Sequence, residues 1–231
     1  MKERGMIFNA EMVRAILDGR KTQTRRPVNP QPELTAGSGF SWKGGIYGSG
    51  SSDRETNKNF AHVVCPFGKL GDRIWVRETW AEAGAGAPDL KLYRANYPDH
   101  VPAHYENVPT ADEIRWTPSI HMPRWASRLM LEITGVRVER LDKISEEDAI
   151  AEGMQGVICR SCKGDPDYST TQYDPDTLAA VDEIPCQSCS SNRSKFFSIW
   201  DSIYGEGNHC MGDWVWVIEF KVVPNVQDNP A

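Results

Sequence analysis

The sequence predicts a mixed α+β domain built on a small curled sheet or barrel with short flanking helices. Several short segments alternate apolar and polar residues as strands do, and three short stretches carry apolar residues at helical spacing. The two kinds do not alternate regularly along the chain, as a doubly wound α/β fold would require. With 231 residues the chain suits one decorated domain or two small ones, and it can bury a core.

Ala10, Val13, Ile16 and Leu17 recur at helical spacing between Asn9, a candidate N-cap, and Gly19, which is placed to end the helix. The basic stretch "GRKTQTRR" (19–26) leaves that helix as an extended segment limited by Pro27. Extended geometry sets Lys21 and Gln23 on one face and Thr22 and Thr24 on the other. Residues 35–59, rich in Gly and Ser, read as a mobile loop with too little apolar area to order itself. Strands are predicted in "GDRIWVRETW" (71–80), "LKLYRA" (90–95) and "SRLMLEITGVRVERL" (127–141), the last interrupted at Gly135. "SEEDAIAEGM" (145–154) opens on a Ser followed three residues later by an acid and ends at Gly153, the pattern of a short capped helix. A last helix is predicted over about residues 195–204. After it, "DWVWVIEFKVV" (213–223) alternates Trp214, Trp216, Ile218 and Phe220 as a strand with one buried face, and residues 224–231 read as a disordered tail.

A net charge of −6 excludes a chain that is basic all over, so nucleic-acid contact must come from local patches such as "GRKTQTRR". The amino terminus lacks the apolar run of a signal peptide, and no stretch approaches the roughly 20 apolar residues that span a bilayer. The expected location is the cytoplasm, with no membrane partner. In that reducing compartment the six cysteines read as thiols or metal ligands. Cys159-Arg-Ser-Cys162 and Cys186-Gln-Ser-Cys189 are two C-x-x-C knuckles separated by 23 residues, and together they supply the four thiolates of a structural Zn2+ site. Four cysteine ligands leave no open position for catalysis. The segment between the knuckles is rich in acids, which repel phosphates, so a protein partner fits it better than nucleic acid. Cys65 and Cys210 read as isolated thiols, with His62 and His209 nearby as a weaker second metal candidate.

Taken with the helix before it, "ILDGRKTQTRR" (16–26) resembles the G-x-K-T-x-T-x-R signature of ASCH domains. The segments "GDRIWVRETW", "PSIHMPRWASRLMLEITGVRVERL", "ISEEDAIAEGM" and "FFSIWDSIYG" followed by "WVWVIEF" stand in the order found in a bacteriophage and prophage subgroup of these proteins. The resemblance covers about residues 5–154 and 195–223. It implies a PUA-like β-barrel formed by 1–154 and 195–223, interrupted by a zinc-knuckle insertion at 155–194, and a host cytoplasm as location if the chain is phage-encoded. A smaller bacterial member of the superfamily is an amidohydrolase that deacetylates N4-acetylcytidine with a Lys, a Thr three positions later and a distant Glu. The resemblance carries these roles to Lys21, Thr24 and Glu152.

The implied chemistry is coherent. A lysine kept neutral by burial or by neighbouring cations acts as base toward the Thr24 hydroxyl, and Glu152 orients it or moves protons to the leaving amine. Thr22 or backbone amides supply oxyanion donors. Arg26 joins the substrate-binding candidates. Arg77 and Glu78, set between Trp75 and Trp80, read either as a core ion pair or as the lining of a base-binding cleft. His121 and Arg124 beside Trp125 can hold a nucleobase and a phosphate, or form a surface loop. Three functions stay open: an enzyme hydrolysing an N-acylated pyrimidine nucleoside, or acting as a ribonuclease as some ASCH relatives are proposed to; a non-catalytic RNA or modified-base binding module; and a phage adaptor that contacts a protein partner through the acidic zinc insertion.

Overall fold

The computed structural model describes residues 1–35, 39–48, 53–205 and 212–225. The chain runs through β1 (Glu3–Ile7), α1 (Ala10–Leu17), β2 (Gln23–Pro27), β3 (Glu33–Thr35), β4 (Gly39–Trp42), β5 (Gly45–Tyr47) and α2 (Asp53–Val64). It continues with β6 (Arg73–Arg77), β7 (Trp80–Glu82), β8 (Lys91–Tyr93), β9 (Met130–Arg140) and α3 (Glu146–Ala151). Then follow β10 (Ser169–Tyr173), β11 (Ala180–Pro185), α4 (Asn192–Tyr204) and β12 (Trp214–Val223).

This is the mixed α+β arrangement that the pattern predicts. Its centre is a five-stranded sheet in the order β1-β6-β9-β12-β2, antiparallel except for the β1–β6 pair. Among the described residues no closed barrel forms, and β1 and β2 are the edges of the sheet. A side chain links the two edges: Arg26 on β2 donates from Nη2 to the carbonyl of Ile7 on β1 at 2.7 Å. Strand β9 runs unbroken through Gly135. The predicted interruption is a register shift against Glu219 and Phe220 of β12, a bulge rather than an end.

β12 is buried on both faces from Trp214 to Ile218, where alternation alone had indicated one buried face. Trp216, Ile218 and Phe220 join Met6, Phe8, Ile74, Val76 and Ile133 in the main core, into which α1 sends Val13 and Ile16. Val215 and Val217 face the other way and pack with Leu141, Ala149, Phe196 and Trp200 beneath α3 and α4. Gln23 and Arg25 of β2 lie on this second, helix-covered side, whereas Arg26 stands opposite Trp216 and over the Phe8 ring on the main-core side.

The predicted mobile loop at 35–59 is corrected wherever it falls on described residues. β3, β4 and β5 form a three-stranded antiparallel sheet, and α2 follows. Gly- and Ser-rich composition concealed two aromatic anchors, Phe40 and Trp42, which meet Phe60 just beyond the stretch. Phe40 stacks on Phe60 at 4.6 Å, Phe60 stacks on Trp216 at 5.3 Å, and Trp42 meets Trp216 edge-on at 6.1 Å. At Gly39, with φ +82°, a Cβ would lie 2.0 Å from the Gly48 carbonyl oxygen, so the turn-rich composition serves close backbone approach. The start of the predicted tail is also held: Asn225 is buried and donates from Nδ2 to the Ser127 carbonyl at 2.6 Å. Residues 226–231 lie outside the described residues.

Between the two cysteine knuckles, β10 and β11 form a separate, largely exposed hairpin whose base the knuckles flank. No described helix is long and apolar enough to cross a membrane.

Candidate functional site

Asn9 caps α1 by accepting from the Met12 amide at 2.8 Å, and Gly19, with φ +72°, ends the helix. Arg20 then ties the chain to the turn after α3, donating to the carbonyls of Gly153 and Gln155 at 3.1 and 3.0 Å and pairing with Asp18. Its donors are therefore committed to the fold. Lys21 comes next, in an isolated antiparallel bridge with Glu152, the residue that closes α3. Gly153 permits this approach, because a Cβ there would stand 2.8 Å from the Ala15 Cβ and 3.1 Å from the Lys21 Cβ.

Lys21 is 2% exposed and Glu152 3%. Lys21 Nζ donates to Glu152 Oε2 at 2.6 Å and to the Glu152 carbonyl at 3.0 Å. Arg25 Nη1 holds the other carboxylate oxygen at 3.1 Å. The same guanidinium pairs with Glu139 and, at 2.9 Å, with Asp148. Gln23 and Arg137 fix Asp148 in turn, at 3.0 and 2.8 Å. Burial pushes the Lys21 ammonium below its ordinary range, opposed by Glu152 and assisted by the charges of Arg26 and Arg25. For Arg25 burial also works against the charge, yet Glu152, Glu139 and Asp148 outweigh it and hold the guanidinium more firmly protonated than usual. The result is a lysine whose charged form burial disfavours beside an arginine that stays charged.

This pair lies beside a narrow recess that encloses room for little more than a water molecule and opens to solvent at its mouth. Lys21, Arg25, Arg26 and Glu152 supply its polar side, and Phe196, Trp200 and Tyr204 of α4 supply an aromatic one. The α4 residues were not singled out as site residues in the sequence, although Phe196, Ile199, Trp200 and Ile203 form a helical stripe that marks a buried face.

Thr24 does not share this wall. Across the β2–β12 ladder it stands opposite Ile218, whereas Arg25 stands opposite Val217 and Gln23 opposite Glu219, so Thr24 points into the main core. Its hydroxyl is buried with no hydrogen-bond partner. The structure thus joins two members of the implied triad, Lys21 and Glu152, and sets the third on the opposite face of the strand.

Arg77, Glu78, His121 and Arg124, the remaining substrate-binding candidates, are also outside the recess. Arg77 and Glu78 do not pair with each other: Arg77 donates to the Ile120 carbonyl and lies over Trp75, while Glu78 accepts from Arg128 at 2.9 and 3.0 Å. Arg128, which the sequence did not mark, also binds Asn96 and lies 4.1 Å from the Tyr93 ring centroid. Burial pushes the Glu78 carboxyl above its ordinary range, and Arg128 opposes the shift. His121 is exposed on a short 3-10 turn, and Arg124 binds Glu3 and Asn225, both at 3.1 Å.

The four knuckle cysteines converge. All their sulfurs lie within 4.8 Å of one another, with Cys159–Cys186 at 3.8 Å and Cys162–Cys189 at 3.7 Å. A tetrahedron with metal–sulfur bonds of about 2.3 Å has edges of about 3.8 Å, so the donor set has the size and chemistry of a four-thiolate metal site. Among the described residues no second cluster of this kind exists. Cys65 is half-buried, with its thiol pushed up to about 11 by burial, and its predicted companions Cys210 and His209 lie outside the described residues.

Compared with protein-family models, curated protein sequences and solved structures, the chain matches none.

Proposed function

We propose that the chain is an ASCH-like protein whose recess takes a modified pyrimidine nucleoside, and that it hydrolyses an N-acyl group from the base. The carrying observation is the 2.6 Å contact between buried Lys21 and Glu152 on the wall of an aromatic-lined recess. A planar base stacks on Phe196, Trp200 or Tyr204, and Lys21, its charged form disfavoured by burial, takes a proton from an attacking water. Glu152 holds the resulting ammonium and passes the proton toward the leaving amine. Water is the nucleophile in this reading because Thr24 faces away from the recess. The curled sheet, with its edges tied by Arg26, suits a PUA-like ancestry. Zn2+ bound by Cys159, Cys162, Cys186 and Cys189 is the proposed structural cofactor: it fastens the insertion at the foot of α4.

Mass spectrometry of N4-acylated cytidines incubated with the wild type, Lys21→Met and Glu152→Gln tests the reaction. Product formation by the wild type and its loss in both variants is the expected result. Undiminished turnover in either variant would sink it.

A second reading, a non-catalytic module for RNA or a modified base, is favoured by one observation: no hydroxyl or thiol nucleophile other than the Tyr204 phenol lines the recess. That reading predicts binding without product, and RNA affinity that falls steeply with salt.

A further inference from the structure

A second pocket, of about 420 Å³, shares no lining residue with the recess beside Lys21. That volume suits a small organic molecule. The pocket forms within one excursion of the chain, residues 94–116, and both ends of the excursion pair with Trp80 of β7. Tyr93 meets Trp80 in the β7–β8 ladder, and Thr117 meets it in an isolated bridge. His100 fastens the start, its Nε2 accepting from the Tyr93 amide at 3.0 Å. The excursion then folds into successive turns: the amides of Val101, Tyr105 and Glu113 donate to the carbonyls of Pro98, Pro102 and Thr110 at 2.8, 3.1 and 3.1 Å. Pro98, Pro102 and Pro109 fix their own φ, so the walls are largely set before a ligand arrives.

The chemistry of these walls is one-sided. Tyr97 and Tyr105 line the pocket among valines and prolines, and Trp116 packs edge-on against Tyr97 at 5.6 Å. The three prolines have no N–H to offer. The Tyr97 hydroxyl donates to the Pro109 carbonyl, and Thr110 gives its amide and its hydroxyl to Glu113 Oε2 at 2.6 and 3.0 Å. Residues 97–113 carry Asp99, Glu106, Asp112 and Glu113 and no Lys or Arg, and no lysine or arginine lines the pocket. Through Thr110 the Glu113 carboxylate stands at the wall, and burial together with that charge pushes the Tyr97 phenol above its ordinary range. An anion meets no countercharge here. A cation without N–H groups of its own needs only aromatic faces and a carboxylate close by, and the pocket has both.

We propose that this pocket binds a quaternary ammonium group carried by a small soluble molecule, with the Tyr97 and Tyr105 rings against its methyl groups and Glu113 as the countercharge.

NMR titration of the full chain with choline and with its uncharged carbon isostere, 3,3-dimethyl-1-butanol, tests this, using the wild type, Tyr105→Leu and Glu113→Gln. Tyr105→Leu keeps apolar bulk and removes the aromatic face, and Glu113→Gln keeps an acceptor for Thr110 and removes the charge. The wild type is expected to bind choline about tenfold more tightly than the isostere, the scale of a cation held by an aromatic face beside a carboxylate. Each variant should shrink that preference. Choline bound no more tightly than the isostere by the wild type, or not bound at all, overturns the inference whether or not the variants fold. So does a preference that survives both substitutions. Sedimentation with phosphatidylcholine vesicles in the absence of binding to free choline also overturns it, because the cation would then belong to a lipid headgroup. Neither probe is a nucleoside, so the result is independent of the reaction proposed at Lys21.

Discussion

Glu78 and Glu152 are both buried carboxylates held by cations, and Glu152 lines the recess beside Lys21. Glu78 gives both oxygens to the rigid fork of Arg128, which Asn96 and the Tyr93 ring hold in place. A guanidinium does not deprotonate at any relevant pH, so this pair is chemically closed and ties the end of β6 to the start of β9. Glu152 divides its oxygens between Arg25 and Lys21. Arg25 anchors it as Arg128 anchors Glu78, but Lys21 can give up its proton, and burial favours that loss. Burial and ion pairing therefore do not separate a working site from a structural one. On the proposed function, the identity of the cation and its access to a recess do.

The largest effect should come from breaking the exchangeable pair. Glu152→Gln and Lys21→Met are expected to lower kcat/KM for an N4-acylated cytidine by about 10²- to 10⁴-fold, the usual worth of a positioned acid or base. Glu152→Gln should cost less stability than its burial suggests, because Arg25 keeps Glu139 and Asp148 and Lys21 can become neutral. Glu78→Gln should behave in the opposite way. It leaves a mostly buried guanidinium without its carboxylate, at a cost of about 3 kcal/mol in denaturant unfolding, while turnover by the folded protein is kept. Turnover lost in Glu78→Gln with stability intact would reverse the assignment of the two sites.

Much of this contrast was legible in the sequence, but only along the chain. Asn9, Gly19, Ser145 and Gly153 bracket their helices as read, because capping depends on neighbours within a few residues. The knuckle cysteines were legible because a metal site constrains both residue type and spacing. Lys21 and Glu152, 131 positions apart, could be joined only through a family resemblance. Strand alternation already set Thr24 opposite Lys21, and the β2–β12 register bears that alternation out against the triad. Arg128 gave no signal, since an arginine before a strand looks like any solvated cation until the fold brings Glu78 to it. The aromatic anchors Phe40 and Trp42 were hidden for the reverse reason: averaged over a Gly- and Ser-rich stretch, two large side chains vanish from the composition.

Metal removal should separate the two regions by a smaller margin. Only Ser190 and Ser191 stand between Cys189 and α4, whose Phe196, Trp200 and Tyr204 wall the recess, and Arg160 ties the first knuckle to Ser202 and Glu11. Chelation is expected to loosen that wall and lower nucleoside turnover by up to about 10²-fold, the scale of a positioning group misplaced by about 1 Å, while hydrogen exchange around Glu78 and Arg128 stays unchanged. Zinc near zero in reduced, purified protein would remove the premise.

The smallest effects lie in the pH dependence of stability, where the two sites have opposite signs. Lys21 in the folded chain titrates below its ordinary 10.5. Between those values the unfolded chain holds more protons, so stability rises with pH and levels off above 10.5. Glu78 titrates above its ordinary 4.5, so between those values the folded chain holds more protons and stability falls as pH rises. Cys65 and Tyr97 also titrate in the alkaline range, so the difference between variant and wild type isolates each group. Denaturant midpoints measured across pH should lose the alkaline rise in Lys21→Met and the acid-side fall in Glu78→Gln. An alkaline rise that persists in Lys21→Met would mean that Lys21 keeps its proton when folded, and a lysine that keeps its proton cannot serve as the base.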